Sequence, residues 1–388
     1  MLTATHAPAG AGEAGASGLD PILITAPRLE RNLLDVPAAV DRIDRRELRQ
    51  GRRGLTLDES LQQVPGLYFQ NQYNFAQGLR ISTRGFGARA PFGIRGIRIR
   101  VDGFPETLPD GQSQTDAIAL DSADRIEVIR GPAAVAYGNA AGGVIDITTA
   151  DGRDMPRSPV VSAQAGRQGY RAGGLRIGGA GGDWAHHVSA HALRHDGFRE
   201  HSRAERDRLN AKVTRDLGDA RELQAVFTAL DNPLSEDPGG LTATELARDR
   251  DAATANAKAL DAGQSASQQR LGLRWRDADA AGGTLTLRGF YSRRDFEQQL
   301  PFPGSSLLGY ERDFFGLGAE YTGEATLAGR PLRYALGGDL ERQIDERFRF
   351  NVDAAGNRGA RSADERQQAT AGGLFARADL GITGARDL

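Results

Sequence analysis

The second half of the chain alternates apolar and polar residues with a period of two. Residues 332–341 place Leu, Tyr or Gly at every even position and carry Arg, Asp and Glu at odd positions. This alternation predicts β-strands with one apolar and one polar face. We predict ten such strands, at about 159–167, 170–179, 184–195, 207–217, 222–231, 269–277, 284–294, 312–324, 331–345 and 366–380.

The links between these predicted strands alternate in length. Links after the second, fourth, sixth and eighth strands are short, whereas those after the third, fifth, seventh and ninth are long, and Asn232–Gln268 is the longest. The first link, near Gln168-Gly169, is short and departs from the pattern. Short turns on one side and longer loops on the other are typical of a transmembrane β-barrel, with an apolar face toward lipid and a polar lumen. Alternation alone also fits a soluble sandwich, so link length carries the preference for a barrel.

Residues before about 155 show mixed α and β signals. Thr56 followed by Glu59 has the pattern of a capping box, which predicts a short helix over Thr56–Val64 that ends at Pro65-Gly66. Short strands are predicted at Leu79–Thr83, Gly96–Val101, Arg125–Ile129 and Val144–Thr149.

The segment Gly131–Ile145 carries no charge and is rich in glycine and alanine. It lacks the GxxxxGK[ST] phosphate-binding and GxGxxG dinucleotide-binding motifs. It is also too short and too rich in glycine for a membrane-spanning helix. We interpret it as backbone packed closely against backbone, with turns that require positive φ.

Composition narrows the classes of function. The chain has 388 residues, a formal net charge of −2, 50 glycines and no cysteine. The lack of cysteine excludes disulfides, thiolate metal sites and cysteine nucleophiles, and the balanced charge gives no reason to expect nucleic acid as a partner. No Ser-His-acid order or paired-carboxylate motif stands out, so we predict no catalytic residue and no enzyme.

Histidines are concentrated in one region, because five of the six lie between His186 and His201. His187, His191 and His195 would share one face of a strand. Positions four apart on a strand are roughly 13 Å apart, which is too far for a single ion to bridge. We therefore predict no metal site and interpret these histidines as polar lining of a lumen.

Five segments, in order from residue 20 onward, resemble motifs of the TonB-dependent outer-membrane receptors. They are DPILITA (Asp20–Ala26), LDESLQQVPGLYFQ (Leu57–Gln70), ISTRGFG (Ile81–Gly87), IRIRVDGFP (Ile97–Pro105) and RIEVIRGPAAVAYGNAAGGVIDI (Arg125–Ile147). The first resembles the TonB box, and the others resemble successive motifs of the plug domain. The resemblance implies a mostly β protein of the ferric siderophore receptor type, with a small α/β plug followed by part of an antiparallel transmembrane β-barrel.

This resemblance implies a division of the chain into four parts. They are a flexible leader (1–19), a TonB-box segment (20–30), a plug domain (31–155) and the N-terminal part of a barrel (156–388). The implied location is the outer membrane of a Gram-negative bacterium.

The resemblance also implies roles for individual residues. The residues expected to bind TonB are Asp20, Pro21, Ile22, Leu23, Ile24, Thr25 and Ala26. Arg84 and Arg130 match plug arginines that latch the plug to barrel glutamates; the alternative is a bond to a nearby carbonyl or plug carboxylate. Ligand contacts are expected at the apices of plug loops, where arginine and aromatic side chains suit an anionic, aromatic iron chelate. The candidates, each of which could equally be an ordinary solvated loop residue, are Tyr73, Phe75, Arg89, Phe92 and Gln112.

The function implied by the resemblance is uptake of a scarce ligand, energised through TonB. A ferric siderophore or another iron complex is the default ligand, while cobalamin, sugars, haem and other metals stay open. The expected partners are TonB, the ligand and outer-membrane lipid. The chain is expected to be a monomer with no cofactor of its own.

The chain departs from the family in length. Residues from 157 onward predict about ten strands, whereas a 22-stranded barrel needs about 450 residues at roughly 20 per strand and loop. An open wall would expose unpaired backbone groups to lipid, so we expect the chain to be a fragment. The alternatives are a ligand-binding or non-transporting fragment or pseudogene product, and a passive porin, against which the plug motifs and DPILITA argue.

Overall fold

The computed structural model of the protein describes residues 23–24, 31–32, 38–90, 92–153, 155 and 158–381. Two sheets dominate these residues, a five-stranded sheet in the first part and a ten-stranded sheet in the second. The leader and most of the TonB-box segment lie outside the described residues. Within that segment, Leu23–Ile24 (β1) pairs antiparallel with Arg31–Asn32 (β2). The domain boundaries given above stay predictions.

We call the described residues from 38 to 149 the plug. Its elements are β3 (Ala39–Asp44), α1 (Arg45–Arg49), α2 (Leu57–Leu61), β4 (Leu67–Gln70), β5 (Arg80–Thr83), β6 (Ile94–Arg95), β7 (Ile97–Val101), β8 (Phe104–Pro105), β9 (Gln112–Ser113), β10 (Ala123–Arg130) and β11 (Gly143–Thr149). The central sheet has the order β3-β10-β11-β7-β8, with β11 and β7 parallel and the other pairs antiparallel.

The plug has a dry apolar core between this sheet and α2. Ile99, Ile126 and Ile145 project from three neighbouring strands and pack with Leu57 and Leu61, all with at most 1% of their surface exposed. Leu57 and Leu61 lie four apart in α2 and therefore share one face of the helix. Burying such a side chain stabilises the fold by about 1.5–3 kcal/mol, so this cluster holds the plug together.

The predicted helix near Thr56 is present, but its capping box is not. Thr56 is the N-cap of α2, yet its side chain makes no capping hydrogen bond. The Glu59 carboxylate instead accepts hydrogen bonds from the backbone N–H of Gly54, at 2.9 Å, and of Leu55, at 3.4 Å. The loop before the helix folds back over Glu59, and this tertiary arrangement replaces the local cap.

The uncharged segment between β10 and β11 packs closely, as its composition predicts. Pro132–Tyr137 forms a 3₁₀ helix. A Cβ atom on Gly142 would lie 2.9 Å from side-chain atoms of both Phe86 and Thr83, and one on Gly143 would lie 2.4 Å from the Ile129 carbonyl oxygen. Gly143 also has φ of +132°, which side chains other than hydrogen rarely tolerate. Glycine is thus required where β11 begins.

We call the ten-stranded antiparallel sheet the wall. Its strands follow chain order, so every strand pairs with its neighbours in sequence. They are β12 (Val160–Ala165), β13 (Arg171–Gly181), β14 (Trp184–His195), β15 (Ala204–Asp216), β16 (Arg221–Glu236), β17 (Gly263–Ala280), β18 (Gly283–Gln299), β19 (Gly304–Leu327), β20 (Arg330–Val352) and β21 (Arg358–Leu380). All ten predicted strands are confirmed, and the fold is that of an incomplete β-barrel beside a plug.

The wall is apolar on its outer face and polar on the inner face, which contacts the plug. In β15, the buried inner positions include Arg206, Arg208, Asn210 and Lys212, whereas Val213 faces outward. Large apolar side chains elsewhere on the outer face are exposed, and they include Leu271, Leu273, Leu287, Leu317, Leu336, Leu340 and Leu374. A soluble sandwich would place these leucines inward, so their exposure indicates a lipid-facing surface.

The two sides of the wall differ in link length, but all four long links are shorter than predicted, and only 196–203 and 237–262 are clearly longer than every turn on the opposite side. On one side, the turns are 182–183, 217–220, 281–282 and 328–329; on the other, the links are 196–203, 237–262, 300–303 and 353–357. The strands β18 to β21 extend beyond their predicted bounds, into residues that the alternation predicts to be loops. Backbone pairing needs no apolar side chains, so the ladder continues through polar sequence.

Two short helices lie in the longest link, α3 (Ala243–Arg248) and α4 (Ala255–Ala259). Each begins at a threonine whose hydroxyl accepts a backbone hydrogen bond, Thr242 from Glu245 and Thr254 from Ala257. None of the helices in the described parts of the chain has the length and apolar character needed to cross a membrane.

Candidate functional site

A cavity of about 320 Å³ lies between the plug loops and the inner face of the wall. The plug contributes residues from 71–79, 92–93 and 112–116, and the wall contributes residues from β15 and β17 to β20. The cavity lies toward the end of the wall that carries the longer links, because 298–300 and 347–349 line it. It therefore lies toward the side on which transmembrane barrels carry their longer loops.

Aromatic rings supply the apolar part of the cavity. Phe75 of the plug is buried, and Phe92 is half exposed. Phe296 stacks on Tyr310 with ring centroids 5.0 Å apart, and the plug residue Gln114 donates a hydrogen bond to the Tyr310 hydroxyl at 3.2 Å. Stacked rings of this kind offer flat surfaces to an aromatic ligand.

The charge of the cavity lining is strongly positive. Among the described lining residues, Asp116 is the one acidic side chain, and the five arginines are Arg206, Arg294, Arg312, Arg347 and Arg349. Two of these arginines have carboxylate partners: Arg294 donates to both oxygens of Asp116, at 3.1 and 2.6 Å, and Arg312 donates to both oxygens of Asp345, at 2.7 and 2.6 Å. A positive excess remains, which favours an anionic occupant.

The pKa values of two plug carboxylates near the cavity are shifted in opposite directions. Burial raises the pKa of Glu106 above its ordinary value, and the single contact from Arg270 offsets this only in part. Burial also acts to raise the pKa of Asp116, but the charge and paired hydrogen bonds of Arg294 outweigh it and hold the pKa below its ordinary value. The two-pronged guanidinium contact explains the difference, because it stabilises both oxygens of the ionised carboxylate.

The structure brings together three of the five residues predicted to bind a ligand. Phe75, Phe92 and Gln112 line the cavity. Tyr73 is directed elsewhere: its hydroxyl accepts a hydrogen bond from Arg53 at 3.2 Å, and Arg53 lies over its ring. Arg89 is exposed and does not line the cavity. A ligand-binding role for any of the five stays a prediction.

The two predicted latch arginines contact plug residues. Arg130 donates a hydrogen bond to the Pro65 carbonyl at 2.8 Å and forms an ion pair with Asp41 at 2.6 Å. Arg84 is exposed, has φ of +48°, and lies beside Gly131. The role of Arg84 and Arg130 as a latch stays a prediction.

Sequence reasoning missed the arginines and Tyr310 of the wall. The signal was present in the polar face of the alternating strands, because Arg294, Arg312 and Tyr310 all occupy inner positions of β18 and β19. Nothing in the strand pattern says which of the many inner positions face a cavity. That depends on where the plug loops end inside the wall.

Ion pairs join the plug to the wall below the cavity. Lys212 of β15 reaches Asp102, which follows β7, with the Lys212 Nζ atom 2.5 Å from an Asp102 carboxylate oxygen. Lys212 also donates to the Thr149 carbonyl at 2.7 Å, and the Thr149 hydroxyl donates to Asp102 at 2.7 Å. Arg98 and Arg270 form further plug–wall pairs, with Glu341 and Glu106. These buried pairs fix the position of the plug along the strands of the wall.

An aromatic contact supplements these pairs. Phe104 of β8 is buried against the wall, 6.3 Å from the ring of Phe290, which in turn packs edge-to-face on Phe314. A Cβ atom on Gly272 of β17 would lie 2.6 Å from the Phe104 ring. Gly272 therefore leaves the space into which the plug inserts this ring.

Among the residues that the structure describes, one group that includes a histidine of the histidine-rich region has the spacing of metal ligands. Ligand atoms of His201, Glu236 and Asp261 lie within 4.8 Å of one another. Glu236 already accepts hydrogen bonds from Arg203, and the His201 Nε2 atom lies 2.8 Å from the Ala262 carbonyl oxygen. These contacts hold the Glu236 and His201 side chains in place and link the 196–203 and 237–262 segments.

Comparison with known proteins agrees with this architecture. Residues 32–144 match the family model of the TonB-dependent receptor plug domain. The chain is 31% identical to a hemin receptor of Yersinia pestis over 137 residues, which are 35% of this chain and 19% of the receptor. It is 32% identical to the vitamin B12 transporter BtuB of Photobacterium profundum over 170 residues, 42% of this chain and 26% of the transporter.

The fold also matches that of solved receptors. The unliganded ferric citrate transporter FecA superposes with a TM-score of 0.71 at 20% identity, over 89% of this chain and 54% of that one. The chain thus spans about half the length of this structure, and its alignments span about a quarter or less of the two curated relatives. The family match identifies residues 32–144 as a plug domain of the TonB-dependent receptor type. The superposition shows that the chain has the plug-and-barrel fold of such receptors of the Gram-negative outer membrane.

Proposed function

We propose that this chain is part of a receptor for energy-coupled uptake of a scarce ligand, and that the ligand is a ferric siderophore or another iron complex. The cavity carries this proposal, since it combines stacked aromatic rings with a positive lining. Many iron chelates are anionic and present aromatic or carboxylate groups, which such a lining would bind. Similar receptors are named for hemin, vitamin B12 and ferric citrate, so binding must be tested across these classes.

The ligand proposal is tested by filling the cavity. Leu308 lines the cavity, whereas the neighbouring Leu307 does not. The purified 388-residue chain in detergent would be dialysed against radiolabelled ferric citrate, hemin and cyanocobalamin. We expect Leu308→Trp to weaken binding of the preferred probe at least tenfold, and Leu307→Trp to leave it unchanged. Equal effects of the two substitutions, or no binding of any probe, would contradict the proposal.

Coupling to TonB is the second part of the proposal, and it assigns the coupling to Asp20–Ala26. An extended peptide binds a partner by adding a strand to the partner's sheet, using its backbone N–H and C=O groups. Proline lacks the N–H group and weakens such pairing. We expect Ile24→Pro to abolish capture of the chain by the periplasmic domain of TonB, whereas Ile24→Val retains it. Capture of both variants alike would remove the coupling role from this segment.

A further inference from the structure

Arg206 differs from the other arginines of the cavity in its surroundings. It lies on the inner face of β15, lines the cavity, and has only 5% of its surface exposed. The ladder between β15 and β16 is interrupted at this residue, because Glu205 pairs with Leu234 but Asp207 pairs with Asp231. One residue of β15, Arg206, therefore lies opposite two residues of β16, so the extra residue of this bulge is on β16. On its other side, Arg206 keeps its regular pairing with Leu193 of β14.

The guanidinium of Arg206 has no ionic partner among the residues that the structure describes. Its described contact is with the face of Phe75, whose ring centroid lies 5.2 Å away, and its Nε atom is buried without a hydrogen-bond acceptor. The opposite charge that acts on Arg206 is that of Asp116, and both oxygens of Asp116 are already bound by Arg294. Arg208 and Arg294 add like charge nearby.

Leaving this guanidinium unpaired is costly. A buried charge without a partner destabilises a fold, whereas a paired one, such as Arg312 with Asp345, is compensated. Binding sites commonly retain such a cost because the ligand relieves it. The flat guanidinium suits an oxyanion with two oxygen atoms, such as a carboxylate or a catecholate.

We propose that Arg206 is the residue that selects an anionic ligand, by binding a carboxylate or catecholate oxyanion of the iron complex beside the ring of Phe75. This inference rests on the proposed function, because it requires the ligand to enter the cavity. The inference adds to the proposed function that the ligand is an anion and that Arg206 is the side chain that recognises its charge. A neutral ligand would gain nothing from Arg206.

The first test needs no ligand. We expect Arg206→Met to leave the urea midpoint of unfolding of the ligand-free chain unchanged or higher, because it removes an unpaired buried charge. Arg312→Met should lower the midpoint, because it leaves Asp345 unpaired. If Arg206→Met lowers the midpoint as much as Arg312→Met does, Arg206 is part of the structural framework and the inference is overturned.

The second test measures binding. We expect Arg206→Gln to weaken binding of ferric citrate or hemin, both of which carry carboxylates, by at least tenfold, with partial rescue by Arg206→Lys. Cyanocobalamin, which has no net charge and carries neither a carboxylate nor a catecholate, should be unaffected. The matched control is Arg293→Gln: Arg293 carries the same charge but is exposed and paired with Glu311 outside the cavity.

The outcomes separate the inference from the proposed function. Unchanged binding of an anionic probe to Arg206→Gln overturns the role of Arg206 and leaves the receptor proposal standing. If the wild-type chain binds none of the three probes, the ligand proposal fails and the role of Arg206 in ligand selection fails with it.

Discussion

The plug and the wall both contain strands with apolar and polar side chains, but they orient the apolar side chains in opposite directions. In the plug, apolar side chains such as Ile126 point into a dry core. In the wall, apolar side chains such as Leu317 point outward, while Lys212 and Arg312 point inward. A period of two therefore establishes a strand and its two faces. Which face is buried depends on the surroundings of each face, which are lipid outside the wall and protein or water within it.

This difference places the polar groups of both regions at one interface. The plug meets a wall whose inner side is charged, so the two are held by pairs such as Lys212 with Asp102 and Arg98 with Glu341. Apolar contact is confined to patches such as Phe104 on Phe290. Charge pairing fixes the plug at its lower end, while the unpaired Arg206 lies at the cavity above.

The largest expected effect comes from removing one partner of the buried ion pair between Lys212 of the wall and Asp102 of the plug. Lys212→Met leaves the Asp102 charge buried, so we expect it to lower the free energy of unfolding by about 3–5 kcal/mol. The double variant Lys212→Met/Asp102→Asn removes both charges and should recover much of the loss, which a double-mutant cycle measures. A loss below about 1 kcal/mol in the single variant would show that the pair is not an anchor.

The next largest effect compares the loss of stability when an apolar side chain is shortened in the plug core and on the outer face of the wall. Ile126→Ala creates a cavity in the plug core and should cost about 2–5 kcal/mol. Leu317→Ala, on the outer face with 69% of its surface exposed, should change the free energy of unfolding in detergent by about 0.5 kcal/mol or less. Equal losses measured by chemical denaturation would mean that the outer leucines belong to a core.

Insertion into lipid tests the outer face directly. Leu340 is exposed on that face, and an arginine on the lipid face of a barrel costs about 2–4 kcal/mol near the middle of the bilayer. We expect Leu340→Arg to reduce the fraction of chain that associates stably with lipid vesicles, with Leu340→Met as the control. The two variants should behave alike if the outer face does not contact lipid.

The smallest expected effect is a dependence on acid pH at the plug–wall interface. The pKa of Asp116 is held below its ordinary value, chiefly by Arg294 acting against burial. A lowered folded-state pKa contributes stability that is present above the unfolded value of about 3.9 and is lost as the pH falls through the folded value. We expect Asp116→Asn to flatten the acid limb of a stability profile, and an unchanged limb would assign it to other carboxylates.

The sequence by itself determined the elements of this protein. Local alternation was enough to predict all ten strands of the wall, and short motifs such as IRIRVDGFP indicated the plug, because strand formation and tight turns depend on neighbouring residues. The motif near Thr56 predicted a helix correctly and its cap incorrectly, since the cap depends on how the preceding loop folds over Glu59.

Only the tertiary structure decided which side chains meet. Phe75 and Arg206 lie far apart in sequence but in contact at the cavity, while Tyr73, two residues from Phe75, turns toward Arg53. Likewise, Arg294 finds Asp116, whereas Arg206 finds no carboxylate among the residues that the structure describes, although both arginines occupy inner positions of alternating strands. The physical reason is that strand period fixes the face of a residue, whereas the position of the plug within the wall fixes its partner.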